Sequence, residues 1–293
     1  MNPRMDTTDA VISDFDARLS RDAFETRARQ GAAALRAIGA GEDVPVAVIL
    51  RNDLAHLEVM RAAALAGAVI VAINWHAAAE EVAAICDDSG ARFLIVHRDL
   101  IDALRPALDG RKVIAVRPGM EMRKAYGIAA VAAEAGAEFP EWSVLVDARP
   151  PIEQRAPMRP FLRYTSGSTG RPKGVRRLQP GPRKDFEEVL QRVATEMMQL
   201  EPGARFLTAA PIYHSAPSTL TSAAMVSPGV STLVAPRFEP EGFLALIEAQ
   251  RITHIYLVPT MMSRMLKLPE PTRTRYDLSS VRFCVSTGSP WSH

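Results

Sequence analysis

Val44-Pro45-Val46-Ala47-Val48-Ile49-Leu50 carries no polar side chain at any position, and the fold class follows from that continuity. A strand with one wet face alternates apolar and polar residues, whereas a strand inside a parallel sheet covered by helices is apolar throughout. Working outward toward the N-terminus, Phe24, Ala28, Ala32, Leu35 and Ile38 recur at helical spacing and stop at Gly39-Ala40-Gly41. Toward the C-terminus, Asn52 or Asp53 stands where a cap is needed. The helix it would open carries Leu54, Leu57, Met60 and Leu65 on one side and ends at Gly67.

The alternation continues. Strands are expected at 69–73, 93–96 and 112–116, with helices at 80–88 and 100–108 between them, the pattern of a doubly wound α/β sheet. An Ala/Glu-rich helix is expected over 128–135, and the proline-rich stretch 149–160 reads as an exposed connector. Further on, Phe186, Val189, Leu190, Val193, Met197 and Leu200 follow helical spacing, with Asp185 as cap and Pro202-Gly203 as stop. Strands at 205–210, 230–234, 254–258 and 281–285, separated by helices at 218–226, from Pro240, and at 260–268, make a second α/β unit. Met261, Met262 and Met265 read as core filler. The expected division is a flexible lead-in at 1–13, a first α/β subdomain at 14–177 and a second at 178–293.

With 293 residues and 47% hydrophobic content the chain can bury a substantial core, and its composition excludes disorder and collagen-like repeats. A net charge of +2 is too small to imply a nucleic-acid partner or a membrane surface. Arg171, Lys173, Arg176, Arg177, Arg183 and Lys184 nonetheless form a local basic cluster, which suits either attraction of a phosphorylated ligand or a solvated positive face. Cys86 and Cys284 have no metal-ligand or redox spacing and read as buried thiols of a cytoplasmic protein. No secretory signal is legible at the N-terminus. The longest apolar run, 62–73, falls short of the roughly 20 residues that span a bilayer, so a soluble protein without stable membrane insertion is expected.

The stretch that carries chemistry is Tyr164-Thr165-Ser166-Gly167-Ser168-Thr169-Gly170-Arg171-Pro172-Lys173-Gly174-Val175. Small residues let a backbone turn tightly and approach a ligand, and successive N–H groups in such a turn form a concavity that favours anions. Ser166, Ser168 and Thr169 add hydroxyl donors and Lys173 adds a point charge, which together suit a polyphosphate. It is not a Walker loop, because Pro172 precedes the lysine and Gly174 follows it, nor is it GxGxxG. By composition alone the stretch is either a solvated turn or a phosphate cradle.

In its order of residues the run resembles the phosphate-binding signature of the adenylate-forming superfamily, which includes acyl-CoA synthetases, luciferases and the adenylation domains of peptide synthetases. Residues 44–96 resemble the opening α/β region of acyl-CoA synthetases. Pro211-Ile212-Tyr213-His214-Ser215-Ala216-Pro217 resembles the segment beside the carboxylate pocket, and Ser286-Thr287-Gly288-Ser289-Pro290 the turn on which adenine rests. The resemblance implies two steps: a carboxylate attacks Mg-ATP to give an acyl-adenylate, and the thiol of CoA then displaces AMP. It implies ATP, Mg2+ and CoA as cofactors and a carboxylic acid, hydrophobic by the apolar content of 212–225, as substrate. Thr165, Ser166, Gly167, Ser168, Thr169, Gly170 and Lys173 would hold the phosphates, Gly288 and Ser289 the nucleotide, and His214 would border the reacting carboxylate; no residue is assigned to metal. His56, His76 and His254 have no such context and read as structural.

Measured against that family the chain reads as an N-terminal portion: the family's C-terminal barrel and small C-terminal domain, with its catalytic lysine, are not in it. The expected fold is therefore two doubly wound α/β subdomains with flanking helices, and the expected activity that of an acid-thiol ligase poor in turnover alone, with a C-terminal half as a partner. The alternative is a non-catalytic nucleotide- or acyl-binding module.

Overall fold

The computed structural model describes residues 10–165, 173–175 and 185–287. Among them twelve strands run in chain order: β1 Val11–Ser13, β2 Arg18–Ser20, β3 Pro45–Ile49, β4 Val69–Ala72, β5 Phe93–His97, β6 Lys112–Val116, β7 Leu162–Thr165, β8 Lys173–Val175, β9 Arg205–Thr208, β10 Ser231–Val234, β11 His254–Leu257 and β12 Phe283–Ser286. Two compact units share these residues. The first takes in Asp22–Arg51 and Ala55–Glu188, and the second the described residues of Met1–Arg21, Asn52–Leu54 and Val189–His293.

The sheet of the first unit has the order β6, β5, β3, β4, β7, β8. All its pairs are parallel except β7 with β8. β3 sits inside, pairing Val46 with Ile70 on one side and with Phe93 on the other, and the run from Val46 to Leu50 is buried. One face, with Ala47, Ile49, Val71 and Leu94, packs against Val82 and Ile85 of the helix Ala79–Ser89 and Ile101 and Leu104 of the helix Arg98–Leu108. Elsewhere in the unit the helices Arg21–Ile38 and Leu54–Ala66 close at Gly31, where a Cβ would lie 2.9 Å from both Ala62 and the Trp142 ring.

The sheet of the second unit has the order β12, β11, β9, β10, β1, β2, parallel except for β1 with β2. In each sheet a run of three successive strands starts inside and goes both ways: β4 and β5 flank β3, and β10 and β11 flank β9. Both sheets are thus doubly wound, as the strand pattern predicts.

Several local expectations differ from the structure. Val11–Ser13 is not flexible lead-in: Val11 and Ile12 are buried, and Ile12 pairs with Thr232 of β10. Residues 10–21 and 52–54 also group with the later part of the chain, so no single cut at 177 separates the two units. In place of a helix over 128–135 there is one 3-10 turn, Ala132–Glu134, between the helices Met120–Tyr126 and Trp142–Asp147, because Gly127 and Gly136 adopt left-handed φ of 64° and 66°. Asp185 does cap its helix, Oδ1 accepting Glu187 N at 3.1 Å. After Arg192, however, that helix passes into a π turn, Val193–Met197. The extra residue per turn rotates the face, so Met198 is buried and Met197 is exposed. Cys86 is buried and its thiol is pushed up to about 11 by desolvation; Cys284 is exposed, since β12 is an edge strand.

Candidate functional site

In a doubly wound sheet, ligands bind outside the carboxyl ends of the strands, in the crevice where the connections diverge to opposite sides. In the second unit that crevice lies between β9 and β11. The segment leaving β9 is Ala209-Ala210-Pro211-Ile212-Tyr213-His214, and it runs directly into the helix Ser215–Val226. His214 is the residue before the helix, with extended backbone at φ −76° and ψ 154°. Its amide donates to Pro211 O at 3.1 Å, closing a turn, and its carbonyl accepts Ser218 N at 3.1 Å. Its ring lies 4.2 Å from that of Tyr213, and partial desolvation holds the imidazole below the ordinary histidine range. A largely neutral imidazole beside a helix N-terminus suits a site for a carboxylate: the N–H groups and dipole favour negative charge, and the ring can donate a hydrogen bond or accept one.

Three further side chains shape this edge of the sheet. Asn52 is buried, and its Nδ2 donates to Ala210 O at 2.9 Å and Ala235 O at 3.2 Å while its Oδ1 accepts Ile212 N at 2.9 Å. Its amide is spent on these bonds and does not cap the following helix. Asp14 Oδ2 instead accepts the N–H of Leu54 at 2.7 Å. On the far side of the crevice Tyr256 of β11 is buried and its hydroxyl lies 2.9 Å from Thr287 Oγ1, at the residue that leads into Gly288 and Ser289. Ser286 Oγ next to it is buried without a partner among the described residues.

In the first unit the polyphosphate motif follows β7. Its two ends are set opposite each other, Thr165 with Lys173 in the antiparallel pairing of β7 and β8, at the edge of an otherwise parallel sheet. Ser166, Gly167, Ser168, Thr169 and Gly170, like Gly288 and Ser289, lie outside the described residues. Gly174 has a packing reason to be glycine: a Cβ there would lie 3.1 Å from the Tyr164 ring across the hairpin, and the Tyr164 hydroxyl donates to Asp88. A hollow of about 390 Å³ at the other, N-terminal end of β3 is bordered by Arg36, Glu42, Val44 and Ala156, but Arg36 is turned to the carbonyls of Gln154 and Leu65, so no free polar group from this arginine converges there.

His214, singled out in the sequence by its motif, stands between β9 and the helix Ser215–Val226; Asn52, Asp14 and Tyr256 were given no place at this edge by the sequence. Asn52 and Asp53 look like a local cap because both stand before a helix. No periodicity reveals partners 158 and 183 residues away. Tyr256 is hidden in an apolar strand run. Among the described residues no group of three or more His, Cys, Asp or Glu could hold a metal ion, and no helix is long and apolar enough to cross a membrane.

Comparison with known proteins agrees with this fold. Residues 3–293 match the family described as AMP-binding enzyme. The chain is 29% identical over 274 residues to 4-coumarate--CoA ligase 2 of Oryza sativa subsp. japonica, covering 91% of this chain and 47% of that protein. It is 30% identical over 256 residues to feruloyl-CoA synthase of Amycolatopsis sp, covering 87% and 46%. Among solved structures, the N-terminal domain of FACL13 from Mycobacterium tuberculosis superposes with a TM-score of 0.71 at 23% identity, covering 98% of this chain and 67% of that one. The anthranilate CoA ligase AuaEII in complex with anthranoyl-AMP gives 0.75 at 21% identity, covering 96% and 52%. The chain spans about half the length of the curated relatives it matches. Matched over nearly its whole length and folded as two doubly wound sheets, it belongs to the AMP-binding enzyme family.

Proposed function

We propose that this chain supplies the ATP- and acid-binding part of an acid-thiol ligase, activating a hydrophobic carboxylic acid as its acyl-adenylate for transfer to CoA. The observation that carries the reading is His214 at the start of the helix Ser215–Val226, at the crevice between β9 and β11. The substrate carboxylate would lie against His214 and the helix N-terminus. Thr165, Ser166, Gly167, Ser168, Thr169, Gly170 and Lys173 would hold the β and γ phosphates and spread the charge that builds on the leaving pyrophosphate as the α-phosphorus is attacked. Gly288 and Ser289 would lie against the nucleotide, with Tyr256 bracing Thr287 beneath them. Mg2+ would enter with ATP, and CoA would be the acceptor in the second step. Two relatives are named for aromatic acids, 4-coumarate and ferulate, which supports an apolar acyl group; the remainder of a longer chain is the partner this reading requires.

Pyrophosphate exchange with a panel of aryl and alkyl acids tests the reading, run beside calorimetric titration with ATP. Acid-dependent exchange that drops on His214→Ala supports it; exchange indifferent to His214→Ala removes the role given to that residue. The half-length coverage favours one alternative, a nucleotide- or acyl-binding module without turnover, and ATP binding with no exchange for any acid would select it.

A further inference from the structure

We propose that Asn52 is a positioning residue for the His214 site: its carboxamide fixes the course of residues 210–212 and so fixes where the histidine and the first turn of the next helix stand. This rests on the role given to His214 above. The last ladder bond between β9 and β10 beyond their ends is Ala235 N to Thr208 O at 2.9 Å. Past it the two tails separate toward different connections, and the carbonyls of Ala210 and Ala235 leave the ladder. Tails that leave a sheet inside the protein carry buried backbone groups that must find partners.

Asn52 supplies those partners from one side chain that is 3% exposed. Its two N–H groups go to one carbonyl on each tail, Ala210 and Ala235, and its oxygen takes the amide of Ile212. Only a carboxamide offers two donors and an acceptor on one small planar group. Aspartate would lose both donors and set a charge against two carbonyl oxygens; alanine would leave all three backbone groups unmet. From Ile212 the chain of bonds continues without a gap. Pro211 has a locked φ and no N–H to offer elsewhere, His214 N bonds Pro211 O, and Ser218 N bonds His214 O. Asn52 is itself held, because the N–H of Leu54 two residues on is fixed by Asp14.

The test uses the full chain and Asn52→Asp and Asn52→Ala. Amide hydrogen exchange should show Ile212 losing protection by about tenfold or more, the loss of one buried hydrogen bond, while Leu207 of β9 and Leu233 of β10 keep theirs. In the same variants the His214 imidazole, followed by NMR, should titrate closer to the ordinary histidine value as the segment opens to water. A folded variant in which both Ile212 protection and the His214 titration are unchanged overturns the proposal. The unsubstituted chain gives a check that does not depend on variant folding: under native conditions the Ile212 and Ser218 amides should open together, in a step separate from global unfolding, and independent opening also overturns it. His214→Ala in the exchange assay tests the functional reading apart from this one, since it can lose or keep exchange whatever Asn52 does.

Discussion

Asp14 should make the protein less stable as pH rises from 4 to 7, the reverse of the usual behaviour of a carboxylate in a folded chain. Its carboxyl is raised from 3.8 to about 6, chiefly by burial, which outweighs hydrogen bonds from Leu54, Ala17 and Asp16 that pull it down, while the nearby Asp53 charge adds to the rise. A folded pKa above the unfolded one means that the folded state holds the proton more tightly. The resulting stabilisation is present in full below 3.8 and is lost as pH passes through about 6. The gap between those values corresponds to about 3 kcal/mol. A carboxamide at this position would not titrate, so Asp14→Asn is the control: groups not coupled to Asp14 cancel in the difference, which leaves Asp14 and its coupling to Asp53. Urea unfolding of each at pH 4 and pH 7 should show the unsubstituted protein losing about 2.4 kcal/mol more than the variant over that range, less than the full gap because the unfolded carboxyl is already more than half ionised at pH 4. Equal pH dependence in the two proteins would refute the reasoning, as would an Asp14 carboxyl resonance that titrates near 4 in the folded chain.

Asp99→Ala should cost about 3 to 5 kcal/mol in chemical denaturation, because it strands the buried Arg51 guanidinium that Asp99 meets at 2.8 and 2.9 Å. Tyr256→Phe removes only the bond to Thr287, so unfolding should change by about 1 kcal/mol and ATP affinity, read by calorimetry, should fall about fivefold. Gly174→Val must push the Tyr164 ring aside and should lower stability by about 1 to 3 kcal/mol, seen as an earlier thermal midpoint. Lys173→Ala should reduce acid-dependent pyrophosphate exchange by about 10² to 10³, the usual effect of deleting one charge-stabilising donor; unchanged exchange would remove that lysine from the phosphate site.

Where hydrophobic burial decides the structure, the sequence was legible. The strand Lys112–Val116 falls where the apolar run places it, and the helix Arg21–Ile38 stops at the glycine that ends its pattern. Legibility fails where single residues change the geometry. A π turn after Arg192 exchanges Met197 for Met198 on the buried face, and nothing in the spacing marks the inserted residue. The three-residue strand Val11–Ser13 is too short to show alternation, and its partner lies 220 residues on, at Thr232. The candidate site divides in the same way. His214 draws notice in the sequence because it stands in a local motif. Asn52 could not, because its meaning depends on carbonyls that only the tertiary fold brings within reach.

The two sheets share one winding, so each has a crevice at the carboxyl ends of its strands where the connections diverge, and the side chains there differ. In the first unit the crevice lies between β3 and β5. There Arg51 N donates to His97 Nδ1 at 3.1 Å and the Arg51 guanidinium pairs with Asp99. The same guanidinium lies 4.3 Å from the Trp75 ring centroid and 4.9 Å from that of Tyr126. An arginine paired on its edge and covered on its faces by aromatic rings fills the space a ligand would take. In the second unit Asn52 meets the carbonyls of Ala210, past β9, and of Ala235, past β10, on the side of β9 away from β11, and His214 stands at the start of a twelve-residue helix. The same topology thus carries a salt-bridged arginine beside one switch point and, beside the other, a histidine at a helix start whose incoming segment is held by a buried amide.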